Sequence, residues 1–304
     1  MYLNHWQLAA PPFHNDQDPR SYYPGEPHEE CLLRLQFAVE ERPGLALLLG
    51  EPGWGKSRLI RELAVRLDGR QTPLLSVSTP GWQPAELLAW IAVELGIDPA
   101  QVDSRTAGCD RIWRELSARL EELAAQNCAP VLVLEEPQPA DLVQLAPTLR
   151  ALLGFAPRGN PTLSLVCVGP PELEAQLARF PALHDRLTAR AVLSPLSVED
   201  TAGYIAHRLQ VAAQAPDRAG APSPHTPALQ SGVAGRQLSH DPAWPFTPEA
   251  LETAHRLAQG SPRKLNRLCD LALLLGFSEE TPEITSHQLA IVAQEFSPQS
   301  RVAA

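Results

Sequence analysis

The stretch Gly44–Leu67, GLALLLGEPGWGKSRLIRELAVRL, changes its period twice within 24 residues. An unbroken apolar run, Leu45 to Leu49, has the length of a strand buried on both faces. From Ser57 onward the apolar residues recur at three and four, the spacing of an amphipathic helix. Between them lies Gly50–Ser57, GEPGWGKS, which gives three positions to glycine and then presents a lysine. Gly50, Gly53 and Gly55 allow left-handed backbone and close approach, so that successive N–H groups can turn inward around anionic oxygens. The following helix adds its positive end. Lys56 reaches the terminal phosphates of a nucleotide and the Ser57 hydroxyl suits a Mg²⁺ ion. The run satisfies G-x-x-x-x-G-K-[ST] at every fixed position, in the strand-to-helix context that the mechanism requires. Glu51, Pro52, Trp54 and Arg58 fill the variable and adjoining positions, and we count them with the three glycines, Lys56 and Ser57 as nucleotide-contacting. The loop therefore implies ATP and Mg²⁺ as ligands.

A phosphate loop needs a carboxylate at the end of a neighbouring strand for the metal's water shell, and hydrolysis needs another to polarise the attacking water. VLVLEEPQPAD (Val131–Asp141) offers Glu135 and Glu136 at such a point. Two adjacent carboxylates after four apolar residues are expensive to place near a core unless a cation or a polarised water meets them. The expected roles are Glu135 at the metal and Glu136 at the water.

The rest of the chain supports this frame. Short apolar segments at Leu45–Leu49, Leu74–Val77, Val131–Leu134, Leu163–Val168 and Ala191–Leu193 alternate with amphipathic stretches such as PAELLAWIAVELG and DRIWRELSARLEELAAQ. That alternation predicts an α/β fold with a five-stranded parallel sheet covered by helices. PHEECLLRLQFAVEER predicts a helix before the first strand, with Pro27 near its start. Three further helices are expected in TPEALETAHRLAQ, SPRKLNRLCDLALLLG and SHQLAIVAQEF, forming a small all-helical domain. The expected organisation is 1–43 as an N-terminal segment and helix packing on the core, and 44–213 as the α/β core. Residues 214–245 are a Pro/Ala/Ser-rich insertion of flexible-linker composition, and 246–304 are the helical domain.

With 35 acidic and 25 basic residues, a net charge of −10, the chain has no overall basic footprint for DNA. Its five cysteines, Cys31, Cys109, Cys128, Cys167 and Cys269, contain no C-x-x-C pair and suit a reducing compartment. The opening MYLNHWQLAAPPFHND lacks the basic flank and apolar stretch of a signal peptide, and no apolar run is long enough to span a bilayer. The expected location is the cytoplasm.

Taken together, the motifs resemble the AAA+ ATPases of the general secretion pathway protein A group (ExeA/GspA-like), which share their core with the MuB/TniB transposition ATPases. YLNHWQLAAPPFHNDQDPRSYYPGEPHEECLLRL resembles that family's opening, GEPGWGKS its nucleotide loop and VGPPELEAQLAR the exit of its fourth strand. LSPLSVEDTAGYIAHRL is similar to its linker helix and GSPRKLNRLCDLALLLG to its lid. The resemblance implies a P-loop AAA+ module with ATP between the α/β core and a C-terminal helical lid. It places Arg263 as the lid arginine contacting the terminal phosphate from the same subunit. It places Arg186, with Arg190 as the alternative, in the region that reaches a neighbouring subunit's ATP. A homo-oligomer, ring or filament, and a protein partner are implied with it.

Two departures from the family pattern bear on turnover. Glu135 stands where the family has aspartate, one methylene longer. Pro170, after Gly169, stands where the family has a polar residue, and proline has no donor with which to position a water. The leading expectation is Mg²⁺-dependent ATP hydrolysis coupled to assembly or remodelling of a protein partner. Two alternatives stand beside it. One is a transposition-type ATPase that assembles on DNA, which the acidic balance disfavours. The other is a hydrolysis-impaired nucleotide switch that uses the insertion as a contact segment.

Overall fold

Five apolar segments become five parallel strands in a single sheet of order β2-β3-β4-β1-β5. They are β1 (Leu45–Leu49), β2 (Leu74–Val77), β3 (Val131–Glu135), β4 (Ser164–Gly169) and β5 (Leu187–Val192). The structure, a computed structural model, describes residues 1–14, 18–41, 44–69, 72–159, 161–214 and 244–295. Most of the insertion expected at 214–245, residues 215–243, lies outside them.

The strand interiors follow from position in the sheet. β1 and β4 are buried along their whole length because neighbours flank them and helices cover both faces. β5 lies at an edge and alternates between sheltered and exposed residues. That alternation corrects the reading of a strand at Ala191–Leu193. Thr188 and Arg190 face solvent, so an unbroken-apolar criterion sees only the buried end of a strand that begins at Leu187.

In chain order the helices are α1 (Tyr2–His5), α2 (Glu26–Glu41), α3 (Lys56–Asp68), α4 (Pro84–Glu94), α5 (Pro99–Val102), α6 (Cys109–Ala125) and α7 (Pro139–Gly154). They continue as α8 (Glu172–Leu177), α9 (Pro181–His184), α10 (Val198–Ala213), α11 (Pro248–Ala258), α12 (Pro262–Ser278) and α13 (Ser286–Glu295). α4 and α7 start alike, each with proline as first residue and an acid two residues on, Glu86 or Asp141. That acid takes the N–H of the preceding cap residue, at 2.6 Å from Gln83 and 2.9 Å from Gln138. α7 escapes a sequence reading because Pro147 interrupts it. Leu142, Leu145, Leu149 and Leu152 nonetheless share one buried face, and their burial carries the helix through the proline.

The chain forms two units, Glu26–Ser194 and Met1–Gly25 with Pro195–Ala304. In the first, Leu45, Leu47 and Leu49 of β1 join the leucines of α4, α6 and α7 in one continuous core. α2 lies against β1, β5 and α3. In the second, α10–α13 enclose a separate core that also takes in Trp6, Leu8 and Phe13. Residues 1–25 thus belong to the helical unit, where the sequence reading packs the whole of 1–43 on the α/β core. The reason is local chemistry. The Trp6 ring is fully buried and its indole N–H finds the Leu273 carbonyl at 2.9 Å. The Arg208 guanidinium, itself buried, donates to Pro12 O at 2.6 Å.

None of the five cysteines forms a disulfide. Burial pushes the Cys31 thiol up to about 11 and Cys167 up to about 12, so both are protonated and serve as small apolar core residues. Among the described residues no helix is long and apolar enough to cross a membrane.

Candidate functional site

The loop after β1 leaves the sheet at its carboxyl edge, where β1 lies between β4 and β5. In open α/β sheets ligands sit at this edge. The Gly50 N–H donates to Gly169 O at the end of β4, at 3.1 Å, which extends the ladder one step and fixes where the loop begins. The loop then turns through two left-handed glycines, Gly53 at φ 90° and Gly55 at φ 101°, before α3 starts at Lys56. Residues 50–55 therefore curl over the positive end of α3.

Lys56 is buried, with 6% of its side chain exposed. Its ammonium donates to Gly50 O at 2.6 Å and to Glu51 O at 3.3 Å, and it stands 3.9 Å from Glu136 Oε1. A buried ammonium survives only where oxygens surround it. Here two loop carbonyls and a carboxylate do so, and they hold the cation at the mouth of the loop.

Glu135 closes the site from β3. Its Oε2 accepts from Ser57 Oγ at 3.0 Å and its Oε1 from Ser76 Oγ on β2 at 2.6 Å. β4 separates β3 from β1, so the end of β3 lies roughly 10 Å from that of β1. The extra methylene of glutamate, a departure when seen in sequence, gives the carboxylate reach toward α3. Ser76 is a site residue that sequence reasoning misses. Its only signal is position, a polar residue near the end of a short strand.

Glu136 adopts φ 48°, the left-handed region in which a residue with a side chain is uncommon. Its N–H donates to Val168 O at 2.7 Å, which pins the residue there. In a continuing strand, adjacent side chains would point to opposite faces. The left-handed turn breaks that alternation and lets Glu135 meet Ser57 while Glu136 approaches Lys56. Asp141, buried at 3% exposure, steadies the turn. Its Oδ1 accepts from the Gly81 N–H at 2.8 Å and its Oδ2 from the Gln138 N–H at 2.9 Å, tying the chain after β2 to the chain after β3. Asp141 does not stand out in the sequence, and His28, whose Nε2 lies 3.0 Å from Trp54 O, enters it only as the histidine of the His-Glu-Glu run in the N-terminal segment that carries the resemblance.

Arg186 and Arg190 are engaged elsewhere. Arg186 donates through Nη1 to Leu153 O at 2.8 Å, at the end of α7, and Arg190 pairs with Glu174 of α8 at 2.8 Å. Arg263 is an exposed residue in the first turn of α12 in the helical unit.

Residues 39–177 match the family model of the AAA domain. This segment of the chain is an AAA domain. General secretion pathway protein A of Aeromonas hydrophila is 31% identical over 303 residues, 98% of this chain and 49% of that protein, so the chain spans about half of the relative's length. Among solved structures, Cdc6p from Pyrobaculum aerophilum aligns at a TM-score of 0.64 with 17% identity, covering 93% of this chain and 70% of that one. Drosophila ORC bound to DNA aligns at 0.63 with 16% identity, covering 97% and 67%. At these identities the two structures bear on the fold alone.

The donor set fits Mg²⁺ and a triphosphate. Ser57 and Glu135 present oxygen donors, which a hard dication takes. Among the described residues no group of three or more His, Cys, Asp and Glu side chains gathers to hold a metal. Magnesium bound through one or two side chains and the ligand's own phosphates does not need such a cage. Ser76→Ala is expected to leave the fold intact while raising the magnesium concentration for half-maximal nucleotide binding about tenfold, the usual scale for removing a partner of a metal-facing carboxylate. A magnesium titration read by nucleotide binding checks this, and an unchanged midpoint would mean that Ser76 does not orient Glu135.

Proposed function

We propose that this chain binds Mg²⁺-ATP at residues 50–58 and hydrolyses it, and that the nucleotide cycle drives assembly or remodelling of a protein partner. The observation that carries the reading is the convergence of Lys56, Ser57, Glu135 and Glu136 beside two left-handed glycines at the start of α3. Lys56 neutralises the β- and γ-phosphates. Ser57 would hold magnesium, and Glu135 would hold the ion's water shell. The ion, when bound, supplies positive charge to the phosphoryl group. Glu136 lies close enough to Lys56 to share its field and exposed enough, at 62%, to meet a water, so it is assigned the proton of the attacking water.

Arg263 is given the terminal phosphate. Support comes from its own helix, because the first turn of α12 carries Arg263 and Lys264 with no acid. Cations at the end of a helix that already favours anions await a negative partner. Arg186 is proposed to reach the ATP of a neighbouring copy in a homo-oligomer, with Arg190 as the alternative. Either would first exchange its present partner, Leu153 O or Glu174. The relative's name, general secretion pathway protein A, supports a protein partner from a secretion pathway.

A second reading, a nucleotide switch with little turnover, is favoured by Pro170. It follows Gly169 at the end of β4 and carries no N–H or polar side chain to set a water beside Glu136.

One experiment separates these. The mass of the assembly is measured with and without Mg²⁺-ATP while phosphate release is recorded, with Lys56→Ala as control. Growth of the assembly with steady release supports the ATPase reading. Growth without release supports the switch. No change in mass and no release would remove both.

A further inference from the structure

We propose that His28 is a positioning residue for the phosphate loop. From the first turn of α2 it holds the Trp54 carbonyl outward and so aims the Gly55 N–H at the bound phosphate. The inference rests on the reading that this loop binds a triphosphate. A carbonyl oxygen can only accept, so at 3.0 Å from Trp54 O the His28 Nε2 carries the proton and donates it. The Trp54–Gly55 peptide is trans, and in a planar trans peptide the C=O and the following N–H point in opposite directions. Fixing the one therefore fixes the other. With the carbonyl drawn toward α2, the amide of Gly55 turns into the curl of the loop, where a phosphate oxygen would sit.

Two more observations make the contact a clamp. His28 is only 6% exposed, so water does not compete for the Trp54 carbonyl. Its ring also lies directly over the Cα of Gly55, where an added Cβ would come within 2.8 Å of Nε2. Glycine at 55 thus answers a requirement beyond its left-handed φ, because the imidazole takes the space that a side chain would use. The clamp is itself fixed. Glu29, next to His28, pairs with Arg66 of α3 at 2.9 Å, and Cys31, Leu32 and Leu35 bury the adjoining face of α2. α2, which lies outside the phosphate-loop motif, thereby sets the orientation of one of the motif's anion-binding amides.

The test compares the wild type with His28→Phe, His28→Asn and His28→Gln in the full chain, using calorimetry with Mg²⁺-ATP and with inorganic tripolyphosphate. Thermal melting and the Gly55 amide resonance of ¹⁵N-glycine-labelled protein are followed alongside. Phenylalanine fills the ring's space without a donor, asparagine is too short to reach the carbonyl, and glutamine places an amide N–H near the position of Nε2. His28→Phe and His28→Asn are expected to weaken ATP and tripolyphosphate by the same factor, about tenfold, the scale of one lost hydrogen bond near a charge. The Gly55 resonance, which should move on ligand addition in the wild type, should hardly move in either variant, and His28→Gln should recover most of both effects. Should His28→Phe fail to fold, His28→Asn against His28→Gln carries the comparison. Wild-type affinity in a folded His28→Phe or His28→Asn overturns the inference and leaves the nucleotide reading intact. So does a loss that tracks the melting temperature and that glutamine fails to restore. A wild type that binds neither ligand overturns the nucleotide reading and this inference with it.

Discussion

Lys56→Ala is expected to weaken ATP binding by about a hundredfold or more while the chain stays folded. The ammonium carries a full positive charge at the mouth of the loop, and on the proposed reading it meets phosphoryl oxygens through charge-assisted hydrogen bonds, each of about 1.5–3 kcal/mol. Two such contacts come to about 3 kcal/mol or more, which is at least two decades in affinity. In the structure Nζ rests on Gly50 O and Glu51 O. On nucleotide binding the lysine therefore trades loop carbonyls for phosphates, and its removal takes away the stronger partner. Folding should suffer little, since Gly50 remains tied to Gly169 O and α3 keeps Leu59, Ile60 and Leu63 buried. Calorimetric titration with Mg²⁺-ATP beside a thermal melt reads both parts. Affinity within a factor of three of wild type would remove Lys56 from the site.

Glu136→Gln should separate binding from turnover. The carboxylate is assigned the attacking water's proton, and loss of a general base lowers the chemical step by about 10²–10⁴. Glutamine keeps the shape and the backbone N–H that donates to Val168 O, so the left-handed turn at φ 48° is retained. The variant also removes a negative charge 3.9 Å from Lys56 and close to where the phosphates would lie. ATP affinity should thus stay equal to wild type or rise. Single-turnover phosphate release and equilibrium ATP binding, measured on the same preparation, test the pair. Equal release rates in the two proteins would assign the base elsewhere, or show that the wild type, with Pro170 beside the site, barely turns over.

Much of this architecture is legible in the sequence because it is written in neighbouring residues. A buried parallel strand appears as a continuous apolar run, so β1, β3 and β4 stand out, and the loop-to-helix transition at Gly50–Ser57 carries its chemistry in eight consecutive positions. Where the environment is mixed, the signal fades. β5 alternates because it lies at an edge, and α7 carries a proline that core leucines override. The N-terminal aromatics look like decoration of the α/β core until Trp6 is seen buried among α12 and its neighbours. Glu135 and Glu136 are both visible as candidates, yet nothing in their order reveals that a left-handed residue splits their directions.

By itself the sequence determined the strand–loop–helix unit, the glycine-rich run Gly50–Ser57 with its lysine and serine, and the two carboxylates at the end of β3, since each follows from periodicity or residue type over a few consecutive positions. Only the tertiary structure decided which groups meet. Ser57 and Ser76 lie 78 and 59 residues from Glu135 and grip opposite oxygens of one carboxylate, and His28 reaches across 26 residues to Trp54. Such pairings depend on strand order and helix placement, which the whole buried core fixes at once and no local stretch encodes.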